Sequence, residues 1–324
     1  MCKNAQLQIV MKQGMKMMAL ALGLAVTVSG QAASVDVKLP AYKKVSGVSG
    51  TLNSVGSDTL NNMMALWAES FQALYPNVKI QIEGKGSSTA PPALIEGSSQ
   101  IGPMSRPMKA TEIDAFEKKF GYKPSAVGVA IDALAVFVHK DNPAKGLTLK
   151  QIDSAFSSTF KLGGKPAKNW GDLGLSGAWS NRAISLYGRN SASGTYGVFK
   201  DIALSKGDYA SNVKEQPGSS AVVQGIGSDL GGLGYSGYGY KTSSVRALPV
   251  NGYPPSADNA LSGKYPLGRV LYVYYNHKPG TKLDATTREF LKFTLSQLGQ
   301  EVVVKDGYFP LNAGGANRFR SKLK

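Results

Sequence analysis

The chain has 324 residues, 42% hydrophobic and 18% charged, enough apolar material for two ordinary domains and too little charge for a disordered one. Thirty-seven lysines and arginines against 21 acids give a net charge of +16, a balance that concentrates anions. One cysteine and two histidines exclude a disulfide framework and a Cys/His metal cluster.

Lys3, Lys12 and Lys16 precede an apolar run from Met17 to Val28, which is too short to span a bilayer comfortably, and Ser29 to Ala33 is a small-residue exit. This is the pattern of a secretory signal covering 1–32, with cleavage after Ala32 and with Met11 or Met15 as alternative starts. Its removal takes Cys2 with it and lowers the charge from +16 to +13, three lysines fewer. An exported basic chain meets small oxyanions and anionic surfaces more readily than nucleic acid.

Residues 33–50 read as a loose polar arm. A strand ends at Val55, and Asp58 is placed to cap a helix that runs to Tyr75 and stops before Pro76. Leu60, Met63, Met64, Trp67, Phe71 and Leu74 recur at helical spacing as its core face. A strand over 78–82, a short helix over 91–96, a strand in "IGPMSRPM" and a helix over 111–120 complete a β-α-β-α-β order, which predicts a mostly parallel sheet. "AVGVAIDALAVFVHKDNP" is long for one strand and reads as a strand leaving one domain for another. Helices follow over 149–156, 194–204 and 219–228, with strands over 183–187 and in "LGGLGYSGYGYK". A second long strand, "YPLGRVLYVYYN", leads into a helix over 286–299 with a capping box of Thr286 and Glu289 and an inner face of Leu291, Leu295 and Leu298. The two long strands bracket an inserted domain. The expected organisation is one discontinuous lobe, 33–130 with 266–324, and an inserted lobe, 131–265, meeting across a cleft.

Three small-polar clusters lie between a strand and a helix: Gly56 to Leu60, Gly84 to Thr89, and Ser191 to Thr195, the last preceded by Arg189. A helix start leaves backbone N–H groups unpaired and carries partial positive charge. Serine and threonine hydroxyls add donors, glycine allows close approach, and arginine offers a planar fork, so the combination suits an oxyanion. "GKGSST" is not a phosphate-binding loop of the Walker type, because its lysine precedes the second glycine. His139 and His277 read as strand-end residues rather than ligands, and Tyr235, Tyr238 and Tyr240 as packing residues.

"GSDTL", "IEGKGSSTAPPALIEG", "IGPMSRPM", "GRNSASGTY", "GGLGYSGYGY" and "DGYFPL", in this order, resemble the periplasmic phosphate-binding proteins of bacterial ABC transporters over most of the mature chain. The resemblance implies the α/β, two-lobed periplasmic-binding-protein fold of type II, closing over one inorganic phosphate. It implies contacts from Thr59, Leu60, Ser87, Arg189, Ser193, Gly194 and Thr195, with Ser88 beside Ser87. It also implies a monomer in the periplasm, an inner-membrane permease as partner, no cofactor and no nucleic acid. Members carry an aspartate that accepts the phosphate proton where this chain has Ser105, followed by Arg106, and the aspartate that partners their arginine is replaced by Ser191. Asp58 is then the nearest candidate acceptor; Ser105 can accept more weakly, and Arg106 either pairs with Asp58 or adds positive charge. The leading expectation is a transport receptor for phosphate. The alternatives are a receptor for another tetrahedral oxyanion such as sulfate, a secreted phosphomonoesterase using Ser87 or Ser193, and adhesion through the basic surface.

Overall fold

The structure, a computed structural model, describes residues 34–323. The expected leader and Cys2 lie outside the described residues.

The first half of the chain alternates as the sequence predicts: β1 (Gly50–Val55), α1 (Asn61–Leu74), β2 (Val78–Glu83), α2 (Ala90–Glu96), β3 (Ile101–Met104), α3 (Ala110–Phe120) and β4 (Ser125–Ala133). One residue, Leu134, separates β4 from β5 (Ala135–His139). There follow α4 (Leu149–Phe156), β6 (Ser185–Arg189), α5 (Gly194–Ala203), β7 (Lys214–Gln216), α6 (Ser219–Gly227), β8 (Gly232–Ser236), β9 (Val245–Leu248) and α7 (Ala257–Leu261). The chain returns through β10 (Gly268–Tyr275) and ends in α8 (Ala285–Thr294), α9 (Gln297–Lys305) and α10 (Ala313–Arg320).

The strands form two five-stranded sheets, ordered β2-β1-β3-β10-β4 and β7-β6-β8-β5-β9. Each has two parallel and two antiparallel pairings. The βαβ order produces the parallel pairs. The antiparallel share exceeds what that order alone predicts, because β5 and β10 run against their neighbours on both sides. The two passages between the sheets lie side by side: the Leu134 amide donates to Leu267 O at 3.0 Å, and the Tyr265 hydroxyl donates to Leu134 O at 2.9 Å.

The core follows the predicted periodicity. Leu60, Met63, Met64, Trp67 and Phe71 are buried along α1, and Trp67 Nε1 donates to Gly299 O at 2.7 Å, which ties α1 to α9. In the second layer the Phe199 and Tyr235 rings stack with centroids 3.8 Å apart beside Phe156. Tyr235 thus packs, as expected. Residues 34–49 form no helix or strand, yet they are not a loose arm: Leu39 and Val48 are buried, and Pro40 O accepts the Gln297 amide.

The helix expected over 286–299 is two helices. Asp284, not Thr286, caps α8, accepting the Thr287 amide at 2.9 Å, while the Thr286 hydroxyl donates to Ser49 O. Glu289 faces Arg288 and Lys292 instead of closing a capping box. Ser296 then caps α9 by accepting the Gly299 amide, and Leu298, in the first turn of α9, is exposed.

Asp306 follows α9 and is buried; Asn62 donates to its Oδ1, and its Oδ2 has no partner among the described residues. Burial pushes this carboxyl from its ordinary 3.8 up to about 6, against the opposing Asn62 hydrogen bond. A raised folded-state value means that its contribution to stability is complete below 3.8 and is lost as pH rises through about 6. Asp306→Asn should therefore gain on the wild type by about 1–3 kcal/mol between acid and neutral pH. Urea unfolding at about pH 4 and about pH 7 checks this; the same difference at both values would contradict it.

Candidate functional site

The three small-polar clusters sit at the carboxyl ends of β1, β2 and β6, where open α/β sheets place their ligand sites. The structure brings them together. Gly86 has φ +128°, and a Cβ there would lie 2.6 Å from Ala192 O; in that gap the Ser88 amide donates to Ala192 O at 3.1 Å. Only glycine allows both the backbone conformation and the close approach. The Thr59 and Thr195 hydroxyl oxygens are 2.9 Å apart, and those of Ser87 and Ser105 are 3.2 Å apart. A Cβ at Gly194 would fall 2.4 Å from Ser87 Oγ and 2.6 Å from Ser105 Oγ. Thr59, Ser87, Ser105, Gly194 and Thr195 thus share one small polar space, all of them buried.

Arg189 ends β6 and is 1% exposed. Its Nη1 lies 2.9 Å from Asp58 Oδ2 and donates to Ser219 Oγ at 2.7 Å, and its Nη2 donates to Pro217 O at 2.9 Å. Its Nε is buried with no partner among the described residues. Burial pushes the guanidinium below its ordinary value, and the Asp58 carboxylate opposes that shift.

Asp58 does not cap the helix that follows it in the chain. It opens a 3-10 turn, Asp58–Leu60, and its Oδ2 crosses between the sheets to Arg189 and to the Ser219 amide at 2.8 Å. It therefore does for Arg189 what Ser191 cannot. Arg106 does not pair with Asp58: it forms a two-pronged pair with Glu112 at 2.6 and 2.7 Å, and its Nη2 donates to Ser88 Oγ. Other expected contacts have internal partners as well. The Leu60 amide donates to Ser57 O, and Ser193 Oγ caps α5 by accepting the Thr195 amide. Tyrosines pin the first turn from behind, with the Tyr240 hydroxyl donating to Asp58 O and the Tyr308 hydroxyl to Thr59 O.

Sequence reasoning missed Asp132 and Arg269. They stand opposite each other in the antiparallel register of β4 and β10, and both are buried. Arg269 Nε and Nη2 donate to Asp132 Oδ2 at 2.9 and 2.7 Å, Nη1 donates to Ser105 O at 3.1 Å, and Nη2 donates to Thr195 Oγ1 at 3.0 Å. The available signal was a single charge inside each of two otherwise apolar strands, "VAIDALAV" and "GRVLYVYY".

No group of three or more His, Cys, Asp or Glu residues able to hold a metal occurs among the described residues. The site offers hydroxyls and paired guanidiniums, the chemistry of anion binding.

Comparison with known proteins agrees with this architecture. The PBP superfamily domain profile matches residues 43–297. The chain is 57% identical over 298 residues to the phosphate-binding protein PstS of Pseudomonas aeruginosa, covering 90% of this chain and 92% of that protein. PstS of Bacillus subtilis is 30% identical over 271 residues, 81% of each chain. A solved phosphate ABC transporter substrate-binding protein from Clostridium perfringens, with bound phosphate, superposes with a TM-score of 0.70 at 28% identity, covering 81% of this chain and 100% of that one.

Removing one partner of a buried ion pair strands the other charge. Asp58→Ala should destabilise the fold by about 2–4 kcal/mol, the lower end following from the partial exposure of Asp58. Asp58→Asn should cost less, because the amide oxygen can still accept. Urea unfolding measures both; a loss for Asp58→Ala below about 0.5 kcal/mol would show that the pair holds nothing together.

Proposed function

Because the chain belongs to the PBP superfamily and, within it, to the PstS family of phosphate-binding proteins, we propose that it captures inorganic phosphate as the substrate-binding component of an ABC importer. It acts in the periplasm, as a monomer, and delivers its ligand to an inner-membrane permease. The observation that carries this reading is the convergence of Thr59, Ser87, Ser105, Gly194 and Thr195 from both sheets on one polar space beside Arg189, whose buried Nε has no partner among the described residues.

Binding follows from donor chemistry. Hydroxyls rotate to donate to whichever oxygen a tetrahedral anion presents, and a guanidinium adds a charge-assisted contact of about 1.5–3 kcal/mol. The low surrounding dielectric strengthens each contact. The lobes 33–130 with 266–324 and 131–265 turn about the paired passages at Leu134 and Leu267. An anion held by turns of both lobes favours the closed form by its differential affinity, and the closed form is what the permease recognises.

The reading needs no covalent step. His139 Nδ1 accepts the Asp141 amide, and His277 Nε2 is bonded to Thr281 O, so both rings are engaged away from Ser87 and Ser193. A phosphomonoesterase has no serine–histidine hydrogen bond to start from among the described residues.

Calorimetric titration of the chain lacking residues 1–32 with phosphate tests the proposal. The wild type should bind one phosphate per chain. Gly194→Ala, whose added methyl points at Ser87 Oγ and Ser105 Oγ, should bind at least about tenfold more weakly, a loss of roughly 1.4 kcal/mol or more, and its unfolding midpoint should fall as well, because the methyl must displace two buried serines. No heat with phosphate, or unaltered affinity in Gly194→Ala, would overturn it.

A further inference from the structure

We propose that Arg269 is a direct ligand-binding residue of this site and its selectivity element: the site reads the charge of its anion through a guanidinium where the family reads a proton through a carboxylate. The proposal rests on the phosphate-binding reading and deepens it.

Position comes first. Arg269 donates to Ser105 O with one nitrogen and to Thr195 Oγ1 with another. Its guanidinium therefore spans from the chain segment after β3 to the start of α5, which are two walls of the same polar space. It belongs to the first sheet, and its contact with Thr195 crosses to the second.

A count of donors comes second. A guanidinium has five N–H groups. Nε gives its hydrogen to Asp132, Nη2 gives one to Asp132 and one to Thr195, and Nη1 gives one to Ser105 O. One Nη1 hydrogen is left for a ligand. The bond to Thr195 matters in a further way. Thr195 Oγ1 accepts from Arg269 and lies 2.9 Å from Thr59 Oγ1, so one of the two threonine hydrogens joins the pair and the other is left for a ligand.

Charge comes third. The carboxylate that balances Arg269 has both oxygens occupied: Asp132 Oδ2 is taken twice by Arg269, and Oδ1 accepts the Tyr238 amide at 3.0 Å. Of the other nearby carboxylates, Glu112 is taken by Arg106 with both oxygens, and Asp58 gives its Oδ2 to Arg189 and the Ser219 amide. At the position where the family carries its aspartate stands Ser105, with its carbonyl held by Arg269 and its hydroxyl beside Ser87. A buried ion pair in two apolar strands is costly to desolvate and adds little to stability over an apolar pair of the same shape. Placed against the ligand, it supplies a fixed positive group without an opposing carboxylate face.

The consequence is a preference for the more highly charged form of the ligand. Phosphate affinity of the wild type, Arg269→Gln and Arg269→Lys, measured by calorimetry at about pH 6 and about pH 8, tests it, with thermal unfolding of each variant alongside. Arg269→Gln should weaken binding by roughly 100-fold at the higher pH, where the dianion dominates, and by markedly less at the lower pH, corresponding to loss of a charged contact. Arg269→Lys should recover part of the loss, since it keeps the charge without the fork. Affinity of Arg269→Gln within about threefold of the wild type at both pH values overturns the proposal. So does an equal loss at both pH values, which would mark a purely structural role. A wild type that binds phosphate while Arg269→Gln behaves in either of these ways refutes Arg269 alone; a wild type that binds none refutes the phosphate reading and this proposal together.

Discussion

Arg189 is 1% exposed, and a guanidinium in such a place must have a carboxylate near it or lose several kcal/mol to desolvation. Its neighbours in the second sheet supply only a hydroxyl, Ser219, and a carbonyl, Pro217. The balancing charge comes from Asp58, which belongs to the turn after β1 in the first sheet. That requirement fixes how closely the two sheets approach. Once Asp58 reaches Arg189, Thr59 is carried against Thr195, and the Tyr240 hydroxyl closes on the Asp58 carbonyl. The polar space is the product of an ion pair that neither sheet can complete alone.

Three arginines surround that space, each with its own carboxylate: Arg106 with Glu112, Arg189 with Asp58, Arg269 with Asp132. The pairs differ in reach. Arg106 and Glu112 lie within one segment and brace the start of α3 while holding Ser88. Arg269 and Asp132 lie across one strand pair, so their meeting is set by the register of β4 and β10. The Arg189 pair alone joins residues of different sheets. The Arg106 and Arg269 pairs therefore brace the first sheet's side of the site, while the Arg189 pair spans the two sheets.

Much of this was legible in the sequence. The α1 core face from Leu60 to Phe71 follows helical spacing, and the strand–turn–helix signals around Ser57, Ser87 and Ser193 mark the clusters that converge. The two long strands announced the crossings between sheets, because a run such as "VAIDALAVFVH" exceeds what one buried strand needs. What stayed hidden depended on long-range pairing. Asp58 looks like a helix cap because serine, threonine and aspartate before a helix usually are; only the approach of β6, more than a hundred residues later, reassigns it. Arg106 sits beside the site in sequence, but Glu112, six residues on, claims it. Asp132 and Arg269 needed the exact partner strand and register, which composition does not give, although a lone charge in each apolar strand was a visible anomaly. The break between α8 and α9 was missed because Ser296 can serve equally as a helix residue and as a new cap, and tertiary packing decides between them.

The most direct test of the central claim is the position of the anion itself. A crystal structure of the chain grown with phosphate should show a single tetrahedral ion between the two sheets, within hydrogen-bond reach of Ser87, Thr195 and Arg189, with the Asp58–Arg189 pair intact beside it. Phosphate seated on the outer basic surface, or an ion between the sheets that leaves Arg189 and these hydroxyls without contact, would contradict the account.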